Sequence, residues 1–155
     1  MTLKRINLKS VELSCKTEYA LLALLELADR YNDGEPLQIR QIAAQQNIPD
    51  RYLEQLLATL RRCGLLRSQR GAKGGYILAR EPWKITLLDV IACLEGSETK
   101  LFQNETTAKT VESAVVQEIW QEVHHRANEV LREYTLQDLC TKRNNRRQLN
   151  IMYYI

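Results

Sequence analysis

Residues 48–80 read IPDRYLEQLLATLRRCGLLRSQRGAKGGYILAR, and the order of features in this stretch decides the fold. Leu53, Leu56, Leu57 and Leu60 recur at spacings of three and four, which places them on one face of a helix that must turn toward a core. Arg51, Gln55, Thr59 and Arg62 are left on the other faces. Asp50 can cap this helix, because its side-chain oxygen can accept from the unpaired amides of the first turn. Cys63-Gly64 is a natural stop, with Gly64 free to take the left-handed conformation and Arg61 and Arg62 favourable near the negative helix end. The period then changes. Leu65 to Gln69 and Tyr76 to Arg80 are short strand-like runs around Arg70-Gly71-Ala72-Lys73-Gly74-Gly75, a basic, glycine-rich separator suited to a hairpin tip.

Upstream, Ile39, Ile42 and Ala43 mark a short helix stopped by Gln46-Asn47-Ile48-Pro49. Two short helices joined by a tight turn, the second polar on its outward face, make a helix-turn-helix. Leu13 to Tyr31 reads as a buried helix, since Tyr19, Leu21, Leu22, Leu24, Leu25 and Leu27 leave almost no polar face. Downstream, Thr86-Leu87-Leu88-Asp89 opens a further helix through Leu94. The predicted fold class is mainly α with a small two-stranded β-wing: a winged helix-turn-helix domain over 13–95, followed by a long dimerisation helix.

Residues 96–110 are polar and read as an exposed loop. A long helix follows from about Val111, on which Val116, Trp120, Val123, Ala127, Val130 and Tyr134 fall at alternating spacings of four and three, a coiled-coil-like seam. That seam can pack on its own winged domain or on the same helix of a second copy. The winged domain already has a core in its first helix, so homodimerisation is the expectation. Thr135-Leu136-Gln137-Asp138 starts a short last helix, which completes a dimerisation unit over 111–145. The tail, 146–155, ends in the apolar run Ile151-Met152-Tyr153-Tyr154-Ile155, which can dock on the body or on a partner.

The chain has 155 residues, 45% of them hydrophobic, enough for one ordinary core. No window approaches the roughly 18 consecutive apolar residues of a membrane span, and Met1 to Ser10 is followed by no secretory apolar region. A cytoplasmic, nucleoid-associated protein with no membrane partner is expected. Net charge is only +3, but residues 51–80 carry seven cations (Arg51, Arg61, Arg62, Arg67, Arg70, Lys73, Arg80) against the single acid Glu54. Seven less one leaves +6 there and −3 elsewhere, the electrostatic footprint of a phosphate-binding face.

Catalysis finds no support: there is no phosphate loop opening a helix, no nucleophile elbow and no H-E-x-x-H. His124 and His125 are adjacent and point about 100° apart on a helix, so they cannot jointly chelate one ion. Cys15, Cys63, Cys93 and Cys140 are scattered with no short spacing, which argues for reduced structural thiols and against a zinc site.

A recognition helix in the major groove would bring Arg51, Tyr52, Gln55 and Thr59 toward base edges. The wing would put Arg70 and Lys73 on phosphates or in the adjacent minor groove, with Gly74 and Gly75 permitting close backbone approach. A winged-helix module that binds protein and no longer reads DNA is the alternative.

These residues resemble the winged-helix regulator family that includes IscR, NsrR and CymR. The likeness begins near Leu13, with Lys16 and Tyr19-Ala20-Leu21. It is strongest over Ile48 to Leu56, Leu60-Arg61, Gly64-Leu65 and Arg70 to Tyr76, and continues through Ile85, Asp89-Val90-Ile91 and Trp120 to Leu139. The resemblance implies two-fold dimers on palindromic promoter DNA, and it adds Lys16, Arg61, Gly71 and Tyr76 to the DNA-binding set. It also implies an iron–sulfur sensor held by three cysteines in the loop before the long helix and at its start. Here Ser97 to Trp120 contains no cysteine, so no cofactor is expected. The expected input is then a metabolic enzyme, a small-molecule effector, or oxidation of a thiol such as Cys93.

Overall fold

Ser14 opens the first helix by accepting from the amide of Thr17 at 3.2 Å, and α1 runs Cys15–Asp29. The computed structural model describes residues 12–95 and 110–154. Within these, α2 (Ile39–Gln46), α3 (Asp50–Arg62), β1 (Leu66–Gln69), β2 (Gly75–Leu78), α4 (Leu87–Glu95), α5 (Val111–Glu133) and α6 (Leu136–Tyr153) follow in order, with a single 3-10 turn at Pro82–Lys84. The mainly α architecture with a two-stranded antiparallel wing is as expected.

Asn47 at φ 53 and ψ 48 reverses the chain after α2, a left-handed position that asparagine tolerates well. Ile48 then buries itself and Pro49 delivers the chain into α3. Asp50 is the first residue of α3 and makes no capping hydrogen bond, unlike the expectation. Its place in the first turn still puts a negative charge at the positive helix end. α3 buries Leu53, Leu56, Leu57 and Leu60 against Ala20, Ala23, Leu24 and Leu27 of α1 and Ile42 of α2, forming one core with Leu65, Leu66, Ile85 and Val90.

The wing strands pair Leu66 with Leu78 and Gln69 with Gly75. A third segment joins them at one point: Leu37 and Tyr76 exchange backbone hydrogen bonds of 3.0 and 2.8 Å. α4 begins with a reciprocal cap, in which Thr86 N–H donates to Asp89 at 3.0 Å and Asp89 N–H donates to the Thr86 hydroxyl at 3.1 Å.

Three further features depart from the sequence reading. The last helix, α6, reaches Tyr153, so residues 146–153 continue the helix where a tail was expected. Nothing between Asn144 and Tyr153 is a proline or glycine, so no residue stops it. That helix also belongs to the winged core: Leu136 is fully buried, its amide donates to the Ile85 carbonyl at 2.9 Å, and Arg143 pairs with Asp29 of α1 at 2.5 Å. The boundary expected at residue 95 therefore does not divide the packing. Finally, Cys63 and Cys93 form a disulfide, where four reduced thiols were expected. They are 30 residues apart in sequence, and packing of α4 on α3 brings their Cα atoms to 5.9 Å. The predicted loop at 96–110 lies outside the described residues except for Thr110, which caps α5 by accepting from the Ser113 amide at 3.0 Å.

Candidate nucleic-acid interface

The seven cations of residues 51–80 separate into two groups by what their heads touch. Arg61 donates to the Ser68 hydroxyl at 3.4 Å, which links the end of α3 to the wing. Arg62 donates to Thr59 at 3.2 Å, Arg67 to the Ala79 carbonyl at 3.4 Å, and Arg80 pairs with Asp89 at 3.7 Å. Arg51, Arg70 and Lys73 are exposed and have no hydrogen-bond or ion-pair partner among the described residues. Some exposed cations elsewhere are matched by acids, as in Arg30–Glu35, Lys84–Glu81 and Arg126–Glu122, while Arg40, Arg132, Arg146 and Arg147 are exposed without an acid partner among the described residues. Within residues 51–80, the uncommitted charge therefore lies at the start of α3 and at the wing tip.

Gln55 is exposed on α3, between buried Leu53 and Leu56, and its side chain is free to reach outward. Tyr52 is half-buried and stacks edge-on against Tyr19 of α1 at 5.7 Å, so much of its ring is committed to the helix pair. Thr59 is half-buried, and its hydroxyl donates to the Gln55 carbonyl at 3.0 Å, so its proton is engaged within its own helix.

Lys16, assigned to the DNA face by resemblance, donates to the Leu94 carbonyl at 3.0 Å and so holds the C-terminal end of α4. Gly74 and Gly75 also differ from their expected role of admitting another molecule. Gly74 is buried within the hairpin, where a Cβ would meet the Gln69 and Gly71 carbonyl oxygens. A Cβ on Gly75, at φ +154, would meet the Leu37 carbonyl. Close approach is required here, but the molecule approached is this chain's own backbone. Gly71 at φ +114 is the exposed glycine of the tip, and Tyr76 is half-buried beside Leu37.

α5 presents the second surface. None of its residues is buried, although it packs on α4. Val116 is 66% exposed, Val130 51%, and Trp120, Val123 and Tyr134 are also open. Ala127 is half-buried. Val115 and Ile119 widen the same apolar surface and were not singled out from the sequence, because the strict seam at spacings of three and four passes beside them. His125 pairs with Glu129 at 3.1 Å while His124 lies edge-on to Trp120, so the two imidazoles diverge as expected.

A recognition helix with a polar outward face and a basic wing define the winged-helix class of DNA-binding proteins. Comparison with known proteins makes this specific. The chain belongs to the Rrf2 family, described as iron-dependent transcriptional regulators, whose model matches residues 13–142. It is 36% identical over 145 residues to the HTH-type transcriptional regulator CymR of Bacillus subtilis (strain 168), covering 92% of this chain and 99% of that protein. Among solved structures, IscR of T. potens matches with a TM-score of 0.71 and 38% identity, covering 85% of this chain and 88% of that one. The structure of CymR, the global cysteine regulator of B. subtilis, matches with a TM-score of 0.69 and 36% identity, over 85% and 98% of the two chains.

The donor set of this chain does not fit the iron centre implied by the family description. Ser97 to Trp120 has no cysteine, Cys93 is bonded to Cys63, Cys140 is buried beside α1, and Cys15 stands at the far N-terminal end of that helix. Among the described residues no three His, Cys, Asp or Glu side chains converge. Nor is any helix among them long and apolar enough to cross a membrane.

Proposed function

We propose that the chain acts as a homodimeric repressor that binds imperfectly palindromic promoter DNA and works without the family's cluster. The observation that carries this reading is the apolar surface of α5, left uncovered among the described residues. An exposed stripe with Trp120 at its centre is costly in water, and a second copy of the same helix covers it symmetrically. A two-fold dimer then sets two recognition helices toward successive major-groove faces, which is why a palindrome is the matching target. Arg51, Arg70 and Lys73 take phosphates or the minor groove, and Gln55 reads a base edge. Occupying a promoter in this way excludes polymerase, hence repression.

The input is a metabolic enzyme, a small effector or thiol oxidation. The B. subtilis relative is named a cysteine regulator, so metabolites of cysteine are the first effectors to test here. Sedimentation and a salt titration of binding to duplexes selected from a random pool test the reading together. A dimer, a two-fold symmetric footprint and a steep fall in affinity with salt are expected. A monomer, or binding with neither sequence preference nor salt slope, overturns it. Iron content and visible absorbance after anaerobic purification test the cofactor claim, and a stoichiometric cluster would refute it.

A further inference from the structure

We propose that Cys63 and Cys93 form a reversible dithiol–disulfide couple, oxidised by a peroxide, that ties the end of the recognition helix to α4 and tightens DNA binding. The part concerning DNA rests on the regulator reading above. Cys63 is the C-terminal cap of α3 and is exposed, while Cys93 is half-buried in α4. Both sit in well-packed elements: Leu60 and Leu65 flank Cys63 in the core, and Val90 and Leu94 flank Cys93. The Thr59 carbonyl of α3 lies 3.6 Å from the Cys93 sulfur, so the two helices meet at this point. The Cα separation of 5.9 Å is one that a disulfide spans without moving backbone.

The consequence for DNA follows from what the bond encloses. The chain between residues 63 and 93 contains both wing strands and most of α4. A bond across it anchors the end of the recognition helix to α4 and closes the loop that carries the wing, so the two elements that grip one duplex have less freedom to separate. The bonded structure keeps α3 capped and its outward face open, so this is a binding-competent form, and fixing it lowers the ordering cost of association. Exposure makes Cys63 the first sulfur reached. Its thiolate attacks the peroxide O–O bond, giving a sulfenic acid and, after protonation, one water. The Cys93 thiol then attacks that sulfur and the hydroxyl leaves with a proton as a second water. Two thiols and one hydrogen peroxide thus yield one disulfide and two waters, and a dithiol reductant reverses the step.

The test uses the full chain, reduced and then treated with stoichiometric hydrogen peroxide, followed by alkylation and peptide mass spectrometry. Two of four thiols should disappear into a linked Cys63–Cys93 peptide, and affinity for a duplex selected from a random pool should rise about fivefold or more. Cys63→Ser and Cys93→Ser should each abolish the response, and Cys15→Ser should retain it. Cys63→Ala serves as a second variant, since an exposed site accepts either residue. Absence of the linked peptide, or pairing between copies, overturns the couple. A linked peptide with affinity unchanged within twofold overturns its regulatory role. If neither redox state binds DNA, the regulator reading falls, while the peptide still decides whether the couple exists.

Discussion

The winged domain and the long helix α5 solve the burial of apolar residues in opposite ways. α3 turns four leucines into a core shared with α1 and α2, and what remains outside is polar and cationic. α5 is longer, at 23 residues against 13, yet buries none of its side chains. The first region is finished by its own chain; the second, among the described residues, leaves its apolar surface open, and the proposed dimer would cover it. The two surfaces therefore differ in kind: one is polar and cationic, the other apolar.

The sharpest break of this comparison is in the core. Leu57→Ala should cost about 2–5 kcal/mol, because a fully buried side chain is replaced by a cavity. Denaturant unfolding checks it, and a loss under about 1 kcal/mol would mean that the α1–α3 packing is not as described. Gly75→Ala comes next, with an expected loss of about 2–3 kcal/mol from a side chain forced at positive φ against the Leu37 carbonyl. Thermal unfolding would register it, and DNA affinity should fall with it as the wing detaches from Leu37.

Val123→Glu tests the other side. The winged domain should keep its helical spectrum while sedimentation shifts from dimer to monomer, since a charge is placed where an apolar partner is expected. Collapse of the whole fold on this substitution would show that the two regions are not separable. Within the DNA face, Gln55→Ala should change base preference at one position by about 1–3 kcal/mol, and selection from a random pool reads that directly. Arg70→Ala should lower the salt slope by about one and weaken all sequences alike, whereas Arg67→Ala, whose head already serves the Ala79 carbonyl, should leave that slope nearly unchanged.

The smallest effect is at Cys140. Burial pushes its thiol up from the ordinary cysteine value, partly offset by Arg143 and reinforced by Asp29 and Glu26. The folded pKa is raised, so the contribution to stability is complete below the ordinary thiol range and is lost as pH climbs through the raised value. Native alkylation near neutral pH should therefore label Cys15 well ahead of Cys140, and equal rates would contradict the burial.

Periodicity and order along the chain were enough for the elements themselves. Leucines at helical spacing, Asn47-Ile48-Pro49 as a turn and a glycine-rich break between two strand-like runs are local signals, and local sterics and hydrogen bonding dictate them. The residues at the wing tip and on the outward face of α3 were legible for the same reason. Roles that depend on what lies across space were not. Gly75 looked like an opening for a ligand, and only the fold shows that Leu37 fills the space. Lys16 entered the DNA-binding set by resemblance, and only the fold shows that its head also reaches the Leu94 carbonyl at the end of α4.

The winged scaffold with its basic face was determined by the sequence alone, because hydrophobic period and turn chemistry act between near neighbours. Tertiary structure alone decided which of the seven cations remain uncommitted, that α6 belongs to the winged core, and that Cys63 meets Cys93. Each of these depends on helices packing residues that lie far apart along the chain, and no spacing rule records that distance.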